Sequence, residues 1–301
     1  MARLPGLMRA LRIRAYGGPE VLRLEEAAVP VPAADQLLAK VRAASVNPID
    51  WKMRRGMLAG VFPLAFPRTL GRDCAGEVDG RMLAGVADPR SEGTHAEYAV
   101  LPGAQCAPVP AGLDPADAAS LCVSGLSAYI PLVEIARVAP GMKVLIHAGA
   151  GGVGSLAIQI ARHLAAEVIA TASAANRAYC EGLGATRVVN YRSEDFAAAG
   201  PFDMVLDSIG GETHVRSIAA LAPGGRVVAL QAAPIPEGTD TSLAVMAQIQ
   251  PTRERLERIF AWAAAGVLRP QVTQAFSLEQ AAQAYALSEA GHLRGKIVIL
   301  P

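Results

Sequence analysis

The chain has 301 residues, about half of them apolar, and a formal net charge of +1. That length is a prior for two domains, and the apolar content is enough for substantial cores. A near-neutral balance gives no electrostatic case for nucleic acid or a membrane surface as partner, and no apolar run approaches the ~18–20 residues that span a bilayer.

The segment 1–16 carries Arg3, Arg9, Arg12 and Arg14 but no uninterrupted apolar stretch of signal-peptide length. A cytoplasmic protein is therefore expected, with Met8 as an alternative start. From residue 10 to about 110 the chain reads as β-rich. Short strands at 11–15, 21–24, 37–41 and 96–101 are separated by Gly, Pro and Asp. Asp114 and Pro115 signal a helix start, as N-cap and first helical residue. From about 126 to 231 strands and helices alternate, which predicts βαβ units and a parallel sheet. Strands are expected at 144–147, 167–171, 187–190, 203–207 and 226–230, with a sixth, poorer pattern at 243–247. The segment 253–265 is amphipathic, with Leu256, Ile259, Phe260 and Ala263 at helical spacing. A strand at 272–276, a helix at 278–288 and a strand at 296–300 close the chain.

The four cysteines, Cys74, Cys106, Cys122 and Cys180, form no CxxC pair and no ligand cluster with histidine, so no metal site is expected. They read as buried free thiols in a reducing compartment. His95 and His147 are isolated in sequence, which favours structural roles.

The strongest chemical signal follows the first strand of the alternating region. Gly149, Gly151 and Gly154 stand in G-x-G-x-x-G spacing, and Val153, Leu156, Ala157 and Ile160 form one face of the helix that follows. In such a loop the first glycine permits the tight turn. The second lets a pyrophosphate approach the backbone, here at Gly151, Gly152 and Val153, and the third lets the helix pack on its strand. The helix N-terminus then faces the phosphates. About 20 residues downstream an NAD site usually places an acid to bind the ribose 2′-hydroxyl. None follows the strand at 167–171. Ser173 and Arg177 stand there instead and suit a 2′-phosphate, which favours NADPH. Arg177 also reads as a solvated residue of the next helix.

Four segments together resemble the zinc-independent quinone oxidoreductase branch of the medium-chain dehydrogenase/reductase superfamily, across essentially the whole chain. They are 46–56 with Asn47, Pro48, Ile49 and Asp50; 71–78 with Gly71, Asp73 and Gly76; the glycine loop; and the closing 293–298 with Gly295 and Lys296. The resemblance implies an α/β fold, a GroES-like β-rich catalytic domain with an inserted Rossmann-type doubly wound parallel-sheet domain. The implied boundaries are 1–122 plus 267–301 for the first and 123–266 for the second. It implies a substrate held over the nicotinamide, with Asn47, Asp50 and Lys52 as catalytic residues. Lys52 stands where the family often has tyrosine. Asp50 reads equally as N-cap of a short helix 50–55, and Trp51 as core packing or as a stacking wall.

The same resemblance adds Tyr191 to Ser173 and Arg177 around a 2′-phosphate. It adds Asp207, Ser127 and Lys296 to the cofactor residues, although Asp207 also reads as a helix cap and Ser127 as helix packing. Zinc-dependent relatives have a cysteine near Asn47 and a His-Glu pair near Arg72 and Asp73, and neither is found here. Without a Lewis acid an alkoxide loses its stabilisation, so hydride transfer to a quinone or another α,β-unsaturated carbonyl is the expected chemistry. The alternatives are an NADPH-dependent alkenal or enone double-bond reductase and a non-catalytic NADPH-binding sensor. A homodimer through an edge strand of the parallel sheet is expected at family level. The stretches 79–95 and 231–245 read as shortened, the former by about a hairpin.

Overall fold

The computed structural model describes residues 5–230 and 234–301. Arg3 and the start of the 231–245 stretch lie outside them. The chain forms two compact units, one of Met1–Ser124, Pro251–Ala265 and Pro270–Pro301, the other of Gly125–Gln250 and Gly266–Arg269.

The first unit opens with β1 (Leu7–Ile13), β2 (Arg23–Ala28) and β3 (Gln36–Ser45), then α1 (Pro48–Arg54). The strands β4 (Arg68–Thr69), β5 (Asp73–Val78), β6 (Arg81–Val86), β7 (Tyr98–Pro102) and β8 (Cys106–Pro108) follow. Helix α2 (Pro115–Tyr129) starts on Asp114, whose Oδ1 accepts from the Ala116 N–H at 2.8 Å. The second unit holds β9 (Lys143–Ile146), α3 (Gly152–His163), β10 (Glu167–Ala172), α4 (Arg177–Leu183) and β11 (Arg187–Asn190). It continues with β12 (Phe202–Asp207), α5 (Gly211–Ala219), β13 (Leu221–Ala229) and β14 (Ala244–Met246). The chain returns to the first unit with α6 (Arg253–Ala264), β15 (Val272–Ser277), α7 (Ala281–Ala290) and β16 (Lys296–Leu300).

In the second unit the strands lie in the order β11-β10-β9-β12-β13-β14, every pair parallel. This is the doubly wound order of dinucleotide folds, whose ligand crevice lies beyond the carboxyl ends of the strands where the winding reverses, here around β9. The central strands are continuous apolar runs (Val144, Leu145 and Ile146 in β9; Met204, Val205 and Leu206 in β12), all buried, as a sheet covered on both faces requires. Each expected strand of this unit is present. Only β13 begins earlier than the Pro223–Gly225 turn suggested.

The first unit pairs β15, β16, β3, β5, β6 and β8 in one sheet with β7 added on β3, and β2, β1 and β4 in a smaller one. Its main apolar core packs Leu11, Ile13, Met53, Leu70, Tyr285 and Ile299. The stretch read as shortened supplies the second strand of a hairpin with β5. β5 and β6 pair from Val78↔Arg81 back to Asp73↔Val86. They turn on Asp79 and Gly80, both left-handed (φ 48° and 77°), as a two-residue Asp-Gly hairpin loop demands.

Two further expectations are corrected. Helix α6, assigned by sequence to the dinucleotide domain, belongs to the first unit, and Arg253 at its start donates to Gly103 O at 3.1 Å. Its amphipathic stripe shows that it packs on something but not on what. A helix long and apolar enough to cross a membrane does exist among the described residues. α2 runs on through a π-helical turn to give Pro115–Ile135, 21 residues. The most apolar window of it is 72% buried within the protein, as a core helix would be. Serines and glycine interleaved with its alanines and leucines hid it from a search for unbroken apolar runs.

Candidate active site

The β9–α3 loop is built as its glycines suggested. Ala148 takes a left-handed φ of 52°, and the Gly151 N–H donates back to its carbonyl at 2.9 Å, closing the turn. The Gly149 N–H donates to Thr171 O on β10 at 2.8 Å. A Cβ on Gly149 would meet Ala170 Cβ at 2.9 Å, and one on Gly154 would lie 2.2 Å from Ala148 O. Gly151 differs, because the nearest atom to a Cβ there is Ala148 O at 3.3 Å. Gly149 and Gly154 are thus held by protein atoms, whereas Gly151, Gly152 and Val153 remain partly open at the head of α3. That head has no side-chain cap and no acid in its first turn. A helix start without a side-chain cap, beside a half-exposed glycine, fits a pyrophosphate.

Behind the loop His147 is buried between two hydroxyls. Ser217 donates to Thr213 O, so His147 Nε2–H donates to Ser217 Oγ at 2.9 Å and Nδ1 accepts from Thr171 at 3.1 Å. Burial holds this imidazole neutral, with its pKa pushed down to about 4. It props the loop, as its isolation in sequence suggested. Asp207 is buried at the end of β12, and the N-cap of α5 is Gly210 instead. The Asp207 Oδ1 accepts from the N–H groups of Ile209 and Gly210, and its Oδ2 from His214 Nδ1 at 2.7 Å. These bonds position the loop that leads from β12 into α5. Ser127 is likewise buried along α2.

At the ends of β10 and β11 the three candidates for a 2′-phosphate are brought together. Ser173 follows β10, Arg177 opens α4, and the Tyr191 N–H donates to Ala172 O at 3.3 Å, so Tyr191 follows β11 beside them. Arg177 is ion-paired with Glu194, Nη2 to Oε1 at 2.6 Å. Sequence reading missed that acid because it searched the end of the second strand and not the third.

In the first unit Asn47 and Asp50, expected to meet substrate, are each 1% exposed. Asn47, not Asp50, caps α1, and Asp50 sits at the third helical position, where its Oδ2 accepts from the Asn47 N–H at 2.7 Å. The Asn47 amide is oriented by two charges. Its Nδ2 donates to Asp73 Oδ1 at 3.1 Å, and its Oδ1 accepts from the Lys296 ammonium at 2.6 Å. Lys296, expected among the cofactor residues, also donates to Val46 O at 2.9 Å and is itself buried beside Asn47. Asp73 accepts further from Ser45 Oγ at 2.7 Å and from the Val123 N–H at 2.9 Å. His95 extends the network, with Nε2–H donating to Ser45 O at 3.2 Å and Nδ1 accepting from the Tyr285 hydroxyl at 2.9 Å. Desolvation drives the Asp73 carboxyl up and the Lys296 ammonium down, and each opposes the other's shift through its charge. Lys52 is half-buried, its Nζ 5.6 Å from the Trp51 ring centroid, and burial lowers its pKa.

Asp50 carries a testable pH signature. Burial pushes its carboxyl up to about 7, against the pull of the Asn47 N–H, and its Oδ1 has no hydrogen-bond partner. An unfolded aspartate ionises at about pH 4, so between there and pH 7 the unfolded chain is increasingly favoured, by about 4 kcal/mol in total. Asp50→Asn removes that ionisation, and its gain over wild type should grow from pH 4 to 7 in urea titrations. A pH-independent difference would mean that the folded carboxyl titrates normally. His95 and His147, both pushed down to about 4, act oppositely and cost stability as pH falls below their unfolded value of about 6.5, so they cancel in the comparison.

Comparison with known proteins agrees with this geometry. Residues 33–82 match the family model of the alcohol dehydrogenase GroES-like domain, and residues 183–299 that of the zinc-binding dehydrogenase. A chloroplastic quinone-oxidoreductase homolog of Spinacia oleracea is 30% identical, with 98% of this chain and 99% of that protein aligned. The chain belongs to the medium-chain dehydrogenase/reductase superfamily, in its quinone oxidoreductase branch. Among its relatives in that superfamily, the NADPH-dependent alkenal/one oxidoreductase of Arabidopsis thaliana is 32% identical over 100% of this chain and 81% of its own. The solved structure of the quinone oxidoreductase from Coxiella burnetii superposes with a TM-score of 0.89, at 34% identity over 98% of this chain and 99% of that one. A medium-chain reductase of this kind is an oxidoreductase that works on a small molecule with a nicotinamide cofactor.

Proposed function

We propose that the protein is an NADPH-dependent reductase of quinones and related α,β-unsaturated carbonyls that uses no zinc. The observation that carries the reading is the bare head of α3 beside Gly151, with Ser173, Arg177 and Tyr191 gathered at the ends of β10 and β11. The N–H groups of Gly152 and Val153 would hold the pyrophosphate, which Gly151 lets approach the backbone, and those three side chains the 2′-phosphate. When bound, the cofactor supplies a hydride. Lys52 is the proton source, because its half-buried ammonium has a lowered pKa and suits donation from Nζ to an oxyanion developing on substrate. Lys296, Asn47 and Asp50 act as positioning residues, fixing the start of α1 and hence Lys52 within it.

The absence of zinc chemistry rests on the donor set. Where zinc-dependent relatives have cysteine and a His-Glu pair, this chain has Asn47, Arg72 and Asp73, with the Lys296 ammonium bonded to Asn47. Ammonium and guanidinium groups have no lone pair for a metal. The reading is tested by following NADPH absorbance with panels of quinones and enones, using metal-stripped protein. Turnover that needs added zinc, or none with any acceptor, sinks it. Faster turnover of enones than quinones makes the alkenal reductases the better parallel, and tight NADPH binding without oxidation makes the protein a sensor.

Four buried free thiols suit a reducing compartment, and we place the protein in the cytoplasm. The edge strand β14 exposes Val245 and Met246 beside Leu243, which favours a homodimer formed along that edge. A monomer mass by light scattering at micromolar concentration would contradict it.

A further inference from the structure

The Arg177–Glu194 pair bears on cofactor choice in a way the glycine loop does not. Glu194 is anchored where it stands. Its own N–H donates to Asn190 O at 2.8 Å, and its Oε1 accepts from the Asn190 N–H at 3.2 Å as well as from Arg177. The turn beneath it is braced by Asn190, whose Nδ2 donates to Ser193 Oγ at 2.9 Å and whose Oδ1 accepts from the Arg192 N–H at 3.2 Å. Two hydrogen bonds to Oε1, from Arg177 and from the Asn190 N–H, thus hold this exposed carboxylate against the guanidinium.

The consequence follows from charge. A phosphate brought to Arg177 carries roughly two negative charges at neutral pH. It would meet a guanidinium already satisfied by one carboxylate and would stand within a few ångströms of that carboxylate. A ribose 2′-hydroxyl meets no such repulsion. Arg192, stacked over the exposed Tyr191 ring with its guanidinium carbon 5.7 Å from the centroid, is the other cation in reach, so the edge carries two cations against one fixed anion.

From this we infer that Glu194 is the specificity-determining residue of the cofactor site, holding NADPH preference far below what Arg177 alone would give. The inference rests on the dinucleotide reading above. The ligand subsite is isolated by titrating the full-length protein calorimetrically with adenosine 2′,5′-bisphosphate and with AMP, which differ only in the 2′-phosphate. Glu194→Gln keeps an oxygen for the Asn190 N–H and removes the charge. It should tighten the bisphosphate about tenfold, equivalent to about 1.4 kcal/mol, and leave AMP within twofold. Arg177→Gln in the same protein should abolish the gain. An unchanged bisphosphate-to-AMP ratio in Glu194→Gln, or weaker bisphosphate binding, overturns the inference while the dinucleotide site stands. Failure of the wild-type protein to bind either nucleotide overturns the site and the inference together.

Discussion

Gly154→Ala will lose both stability and cofactor binding, whereas Gly151→Ala will lose binding alone. The two glycines sit three residues apart in one loop and their added methyl groups differ by one carbon's surroundings. At position 154 the new Cβ lies 2.2 Å from Ala148 O and 2.8 Å from both Ala148 C and Gly149 Cα, all backbone atoms. No rotamer relieves that overlap, so α3 must back away from the β9 turn, at a cost of about 1–3 kcal/mol for overpacking of this kind. At position 151 the nearest atom, Ala148 O, is 3.3 Å away, a contact relieved by a shift of a few tenths of an ångström, and φ is −75°, a value alanine adopts freely. The protein should therefore melt within about 1 kcal/mol of wild type. Its methyl group would project over the head of α3, where the pyrophosphate must approach the backbone. Nucleotide affinity should fall at least a hundredfold in both variants, with only Gly154→Ala shifting the urea midpoint. Equal midpoints, or full affinity in Gly151→Ala, would remove the physical basis for the loop's role.

Lys296→Met will be among the most destabilising single changes in the first unit. The ammonium is buried and hydrogen-bonded to Val46 O and Asn47 Oδ1, and Asn47 in turn binds Asp73. Removing the cation deprives the buried Asp73 carboxylate of the charge that most favours its ionised form, with the Arg72 guanidinium compensating only in part, and a buried ion left without its partner costs about 3–5 kcal/mol. Asp73→Asn in the Lys296→Met background removes the stranded charge and should recover part of the loss, so that the double variant is more stable than the sum of the singles predicts. Urea midpoints of the four proteins in the cycle measure this directly. Additive effects would mean that the lysine and the aspartate do not share a network.

The parts of the fold legible in sequence were those where one segment holds the whole signal. Buried parallel strands read as unbroken apolar runs, so β9 to β13 could be placed without tertiary knowledge. The glycine loop was legible for the same reason, since Gly154 answers to backbone atoms of Ala148 and Gly149 within the loop itself. The β5–β6 hairpin was missed although Asp79-Gly80 is a local turn signal. Its strands carry Gly76, Glu77, Gly85 and Arg81, which break the alternation a strand search relies on. What was not legible depends on distant partners. Nothing near Lys296 points to Asn47, 249 residues away along the chain, and only the fold turns a family lysine into the donor that orients an asparagine. Asp50 was read as a cap or a site residue, but the cap is Asn47, because α1 starts at Pro48 and not at residue 50. Glu194 stood in plain view after β11 and acquired meaning only when α4 brought Arg177 against it.

The central claim is direct hydride transfer from NADPH to an activated acceptor in this protein. The most direct test uses NADPH deuterated stereospecifically at C4 of the nicotinamide with a cyclic enone in ordinary water, and locates the label in the product. The account predicts one deuterium at the β-carbon, from one face of the nicotinamide only, and a solvent-derived hydrogen at the α-carbon. A saturated product without the label, or oxidation of NADPH with no product formed, would contradict it.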